Sequence, residues 1–289
     1  MLDDAVEGLP AVVVPGLPPG WERAWWQPTR TVLAVLVGLG GILPLLWMIS
    51  TSLRPTTLPA AIRFEWIPPA LTWENYPTIF QSFALGRWLG NSLGVILVAV
   101  PLTVLTGSLA GFALAALPAR ARTGLVVLSV AALLVPTMAL WVPRFLIYKT
   151  IGILDTPLAL IAPAIMGTSP LYVLLFAWAF ARVPPATFEQ ARLDGAGPLR
   201  VWWSIGLPQV WPAIGAVTVL ATVAYWSDYL SPLFYINNQD YYTLPVGIQA
   251  LQQSNPTGWP LLMAGSVALT LPVLGIFLVA QRFFFRLGR

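Results

Sequence analysis

The sequence predicts an all-α membrane protein with six transmembrane helices, and three observations predict it. Of the 289 residues, 57% are hydrophobic and only 9% are charged, against roughly 25% charged in an ordinary soluble domain. The apolar residues gather in uncharged blocks long enough to cross a bilayer, which takes about 20 residues. The charges fall between those blocks, where basic residues report membrane orientation. The net charge of +4 therefore reads as topology, and no nucleic-acid partner is expected.

The first block is Thr31–Leu53. The second, Trp88–Ala119, exceeds what a bilayer needs and predicts a tilted or protruding span over residues 88–117. The third is Thr123–Pro143 and the fourth Thr156–Ala181. The fifth run starts at Val201, with its membrane part expected over 207–232. Tyr241–Gln281 is uncharged, but Gln252, Gln253, Ser254 and Asn255 make its first half too polar, so the sixth span is placed at Pro260–Gln281. Six spans put both termini on one side. That side holds Arg23, Arg30, Arg120, Arg122, Arg182, Arg192, Arg200, Arg282, Arg286 and Arg289, ten of the 15 basic residues. Arg54, Arg63, Arg87, Arg144 and Lys149 lie opposite, so the termini are expected in the cytoplasm.

Residues 1–30 start acidic and are rich in Pro and Gly. Without a basic leading region they read as a flexible cytoplasmic tail, not a cleaved signal. The outer segments Arg54–Leu85 and Phe234–Trp259 are rich in aromatics, which suit a membrane interface or a partner surface.

The chain has no cysteine and no histidine. That removes disulfides, thiol nucleophiles, His-based triads and Cys/His metal sites. The one lysine, Lys149, lies in no phosphate-binding loop pattern. The chain is expected to be no enzyme and to bind no cofactor or metal itself.

The segment 183–206, between spans four and five, has its own local grammar. Pro184 and Pro185 end the preceding span. Thr187 reads as an N-cap, with Gln190 completing a capping box. Glu189 falls in the first turn, where the helix dipole favours an acid. Gly195 is placed to end the helix in a left-handed conformation. About two turns of helix result, too short to persist without a partner. Physics alone leaves two readings, a docking element or an ordinary loop helix.

The residue pattern separates them. Glu189-Gln190-Ala191, then Gly195, Ile205 and Leu207-Pro208, resembles the EAA loop of ABC-importer permeases, with matching spacing throughout. Gln190 departs from the usual small residue. Weaker likenesses to sugar permeases of the maltose type follow in order: Met48–Pro55, Thr72–Tyr76, Asn91-Ser92, Trp226–Leu233, Tyr242–Gly247, Met263–Ser266 and Gln281–Phe284. Ser227 stands where that group often has Asn, and the Gly-rich tail that reaches the ATPase in some members is expected to be missing.

The resemblance implies the type I importer permease fold, with a coupling helix facing the cytoplasm of a bacterial inner membrane. It implies a second permease subunit, a pair of ATPases holding ATP and Mg²⁺, and an extracytoplasmic substrate-binding protein. Glu189 matches the acidic position that meets a basic residue of the ATPase, Gly195 the sharp turn, and Arg192 and Asp194 the charged neighbours. Flanking segments favour a sugar cargo, while the loop pattern fits glycerol-phosphate or a peptide equally. A self-contained carrier is the outlying reading, but such carriers bury several ionisable groups, and Asp228 is the one acid at a span edge.

For the pathway, Trp226, Asp228 and Tyr229 form an aromatic-plus-acid group of the kind that holds sugars, by stacking and by accepting hydroxyl hydrogen bonds. The competing role for Asp228 is capping at the outer interface. Asn91 is a pathway candidate too, with bonding between helices as its competing role. Pro163, Pro170 and Pro212 could break helices near the pathway.

Overall fold

The computed structural model describes residues 21–58, 65–165, 169–255 and 258–287, and backbone alone at 21–30, 276–277 and 279–287. Among the described residues every regular element is helical. The chain divides into two compact units, Met1–Met48 and Ile49–Arg289.

The described part of the first unit is the body of α1 (Trp21–Ser52). Val35, Leu36 and Val37 stand exposed, as suits a helix solvated by lipid. Residues 21–30, expected as part of the tail, are therefore helical. The rest of that expected tail lies outside the described residues.

The second unit continues with the short α2 (Asn75–Ser82) and the long α3 (Leu85–Ala116). Then come α4 (Ala119–Leu133) and α5 (Trp141–Thr150). The third expected span is not one helix to Pro143. A 3₁₀ turn at Thr137–Leu140 leads into α5, and the Thr137–Thr150 segment runs at 93° to α4. Pro136 explains the break, since its ring drives Val135 out of the α region and removes an amide donor.

The fourth span is α6 (Pro157–Ile165) followed by α7 (Pro170–Phe180). Pro170 opens α7, where its missing amide costs nothing, and Pro163 lies within α6. Next come α8 (Pro185–Leu193), α9 (Pro198–Val201), a π turn at Trp202–Gly206 and α10 (Leu207–Gln209). These lead to α11 (Trp211–Trp226) and α12 (Leu230–Tyr235). The fifth expected span is also revised. Pro198–Gln209 meets α11 at 85°, with Val210 at φ −109°. Leu207–Gln209 precede that bend, and the helix after it stops at Trp226. Pro208 and Pro212 flank the corner, and Pro212 sits in the opening turn of α11.

The chain closes with α13 (Leu244–Ser254) and α14 (Trp259–Leu287). Among the described residues three helical segments meet the length and hydropathy of a span outright: Thr31–Ser52, Leu85–Ala116 and Pro157–Phe180. Two bent pairs, Ala119–Leu133 with Thr137–Thr150 and Pro198–Gln209 with Trp211–Trp226, meet them only when each pair is taken together, and Trp259–Gly275 of α14 is a shorter apolar helix.

α3 is the keel of the second unit because it supplies side chains to all three buried clusters. Trp88, Ile96 and Val100 pack with Ala221 and Trp226 of α11 and with Leu244 and Ile248 of α13. Val95 and Ala99 pack with Tyr148, α6 and Tyr235. Phe112 packs with Phe176, Phe180, Val201 and Val217. Small residues permit this close approach. A methyl group added at Gly111 would lie 2.5 Å from Cβ of Phe176 and 2.9 Å from the Ala177 nitrogen. Gly107 lies one turn earlier against Tyr172, so the Gly107–Gly111 spacing is the small-residue seam that packs membrane helices.

Candidate functional site

The loop helix α8 is framed as a rigid insert. Its start differs from the sequence expectation. Pro184 occupies the N-cap and Pro185 the first helical position, with no side-chain cap bond. Thr187 and Gln190 therefore form no capping box, and Glu189 lies past the first turn. Proline wins because its fixed φ and absent amide suit that opening position.

The C-terminus is as expected. Gly195 has φ +83°. Its amide donates to the Arg192 carbonyl at 3.0 Å, and the Ala196 amide donates to the Ala191 carbonyl at 3.0 Å. Those two bonds make a Schellman motif, which satisfies the last carbonyls of the helix and needs a left-handed residue at Gly195.

One face of α8 is fastened to the membrane helices. Ala191 is buried among Phe112, Phe180, Val201 and Val210. Phe188, one turn before it, meets Phe112 edge-on, with centroids 5.5 Å apart. Ile205 and Leu207 pack against the same cluster, while Pro208 is exposed. Upstream, the Arg182 guanidinium lies 3.7 Å over the Trp178 ring, a cation–π contact at the end of α7.

The other face is open. Glu189, Gln190, Arg192, Asp194 and Gly195 are exposed, and Leu193 is 87% exposed. Gln190 points away from the cluster, so its length crowds nothing in this chain. The surface thus alternates charge with one bare leucine. Phe188 was missed from the sequence. Its signal was its place three residues before Ala191, which puts both on one helical face.

The pathway candidates separate. Trp226 is buried, 3% exposed, and its indole Nε1 donates to the Leu269 carbonyl at 2.9 Å. It ties α11 to α14. Asp228 is half-buried, and its Oδ1 accepts from the Ser231 amide at 3.0 Å, capping α12. Tyr229, also half-buried, is the residue before α12. Asn91 is a clasp. Its Nδ2 donates to the carbonyls of Asp240 at 2.7 Å and Tyr242 at 2.9 Å. One turn earlier Arg87 pairs with the Asp240 carboxylate, and the Leu244 amide donates to the Ser92 hydroxyl at 2.8 Å.

A second clasp joins two of the segments singled out in the sequence. The Asn75 side chain donates to the carbonyls of Ser52 at 2.7 Å and Arg54 at 2.8 Å. The Tyr76 hydroxyl lies 2.8 Å from that of Ser52. Among the described residues no group of His, Cys, Asp or Glu is arranged to hold a metal.

Fold and site together define a membrane-embedded transport component. The chain belongs to the family of binding-protein-dependent transport system inner membrane components, whose sequence model matches residues 99–289. Members of that family are permease subunits and not enzymes. The chain is 30% identical to the arabinooligosaccharides transport system permease protein AraQ of Halalkalibacterium halodurans, across 89% of this chain and 95% of that one. It is 30% identical to the trehalose transport system permease protein SugB of Mycobacterium tuberculosis, across 87% and 92%. A chain of a bacterial ABC transporter that imports the acidic polysaccharide alginate superposes with a TM-score of 0.75, at 18% identity, over 94% of this chain and all of that one. The fold is therefore that of a type I importer permease.

Proposed function

We propose that this chain forms half of the translocation pathway of an ATP-driven importer for a sugar or sugar derivative. Its place is a bacterial cytoplasmic membrane, with both termini in the cytoplasm. It would work with a second, different permease subunit, a pair of ATPases carrying ATP and Mg²⁺, and an extracytoplasmic binding protein. The sugar cargo is supported by the related permeases, those for arabinooligosaccharides and trehalose among them.

One observation carries the coupling role. α8 has one face locked into the core through Phe188 and Ala191 and the opposite face bare at Glu189, Arg192, Leu193 and Asp194. A helix held this way moves with α3, α7 and α11 as one body. ATP closing the ATPase pair would push α8, rotate those helices and open the pathway outward, and hydrolysis would reset it. Glu189 is the residue proposed to meet a basic side chain of the ATPase.

The test is affinity purification of the chain from its native membrane in mild detergent, comparing the native protein with Glu189→Ala. The native chain should bring down an ATPase, and the variant should insert normally but lose most of it. Equal ATPase recovery and equal transport would remove Glu189 from the coupling role.

A further inference from the structure

At the α8 end of α7 a cation lies flat on an exposed indole. Cζ of Arg182 is 3.7 Å from the centroid of the Trp178 ring. Trp178 is 58% exposed, and Arg182 is exposed as well. Stacking occupies one face of the guanidinium, whereas its N–H groups lie in its plane and point out from its edge. Among the described residues that edge meets no acceptor, and the ion pairs are Arg54–Glu65 and Arg87–Asp240. The backbone holding Arg182 is fixed, because the Ala181 and Arg182 amides donate to the Ala177 and Ala179 carbonyls at 3.0 and 3.2 Å. Leu171, 45% exposed, precedes Trp178 by two helical turns on the same face. Leu171, Trp178 and Arg182 thus form a stripe that passes from hydrocarbon to aromatic to cation. About 16 Å of helix rise separates its ends, close to half of the hydrocarbon thickness of about 30 Å. One leaflet presents the same order: acyl chain, the interface where Trp settles, then phosphate.

Two further cations stand at this end of the membrane helices. Phe112 of α3 meets Phe180 edge-on, with centroids 5.2 Å apart, and α3 ends one turn later at Ala116. α4 begins at Ala119, packs against α7, and carries Arg120 and Arg122 exposed in its first turn. Little acid offsets them. Between Glu74 and Glu189 the one acidic residue is Asp155, whose carboxylate accepts from the Asn237 and Asn238 amides at 2.7 and 2.8 Å. That segment continues to Asp240, which pairs with Arg87 at the opposite end of α3. Glu189 and Asp194 stand on the open face of α8. A basic patch beside an apolar stripe attracts the anionic lipids of a leaflet. The guanidinium edge fits a phosphate, which accepts two parallel N–H bonds. A soluble anion would meet that edge but leave Trp178 and Leu171 bare. A phospholipid covers all three with one molecule.

We propose that the Trp178–Arg182 stack, flanked by Arg120 and Arg122, binds the phosphate of an anionic phospholipid in the leaflet on the α8 side, with an acyl chain along Leu171. The bound lipid sits at the root of α8, three residues before Pro185 opens that helix. The site is independent of what cargo the chain carries.

The test uses the full chain, with the subunits that purify with it, in phosphatidylcholine vesicles. A trace of phosphatidylglycerol or of phosphatidylcholine is added, each with a photoreactive diazirine near the carbonyl end of one acyl chain. After irradiation the labelled peptides are mapped by mass spectrometry. Labelling within residues 171–182 should be about fivefold stronger from the phosphatidylglycerol probe, the preference that one interfacial arginine confers. Arg182→Gln, a change at an exposed position, should bring the two probes within twofold. Arg182→Lys keeps the charge but loses the flat stack and the paired donors, and should lose most of the preference. Equal labelling by both probes in the unaltered protein, or a preference that survives either substitution, would overturn the site. Absence of label from residues 171–182 with both probes would overturn it too, since a protein subunit would then cover the stripe. Replacing chloride with inorganic phosphate at equal ionic strength should change nothing. A preference lost in phosphate would make this a site for free anions and not for lipid.

Discussion

The ring of Phe188 stands edge-on to that of Phe112, centroids 5.5 Å apart at 76°. This contact joins the exposed loop helix to the keel of the unit. Such aromatic pairs contribute about 0.5–1.5 kcal/mol beyond their area burial. Phe188→Ala should therefore leave the chain inserted but loosen α8 from the helices it is proposed to drive. The expected result is several-fold lower uptake per ATP hydrolysed in proteoliposomes. An unchanged ratio would show that the push travels by another route.

The left-handed Gly195 gives a second prediction. A side chain there costs about 1–2 kcal/mol in backbone strain, and open space around the position means that strain alone is at stake. Gly195→Val should fray the Schellman motif and reduce recovery of the ATPase on purification. Gly195→Asn, which tolerates the same backbone, should keep most of it. Equal losses in both variants would point to a role for the glycine other than its φ.

Crowding at Gly111 gives a third. An added Cβ would fall 2.5 Å from Phe176, and such overpacking costs about 1–3 kcal/mol or more. Gly111→Val should lower the thermal unfolding midpoint in detergent by several degrees. Gly124→Val, with nothing within 4 Å of its Cβ position, should leave that midpoint in place.

Asn91 predicts an effect on order outside the helices. Its two bonds hold the segment 240–242, at about 1 kcal/mol each. Asn91→Ala should raise protease cleavage in residues 236–243 several-fold. A cleavage rate equal to that of the parent would show that Arg87 and Ser92 suffice.

Orientation is testable because the chain has no cysteine. Single cysteines replacing Leu193 and Gln239, both exposed, should react with a membrane-impermeant maleimide from opposite faces. Cells should label at position 239, and inverted vesicles at 193. The reverse pattern would turn the proposed topology over.

Much of the architecture was legible because it is written in local chemistry. A lipid-solvated helix shows as an uncharged block, and Gly195 announced its turn through the one backbone conformation it serves. The breaks at Val135-Pro136 and Val210 left no mark in charge or hydropathy, since both corners lie inside apolar runs. Proline alone signalled them, and it occurs as readily in unbroken helices such as α3, where Pro101 is accommodated. The start of α8 was misread because Thr187 has the chemistry of a cap while Pro185 has the better position. Trp226 and Asn91 were singled out in the sequence, Asn91 with structural bonding as one of its two roles, but what they bond to was beyond sequence reasoning for a different reason. Their partners, the Leu269 carbonyl and the 240–242 segment, lie 43 and about 150 residues away.

The keel position of α3 has a consequence for biosynthesis. At about 5–20 residues per second, Phe180 is polymerised roughly 3–13 s after Ala116, and Trp226 roughly 5–22 s after it. During that interval the seam of Gly107 and Gly111 has nothing to close on, and the hydroxyls of Ser92 and Thr103 have not met their partners. The half-made chain must therefore be sheltered, by the insertion machinery or by lipid, until the fourth and fifth spans arrive.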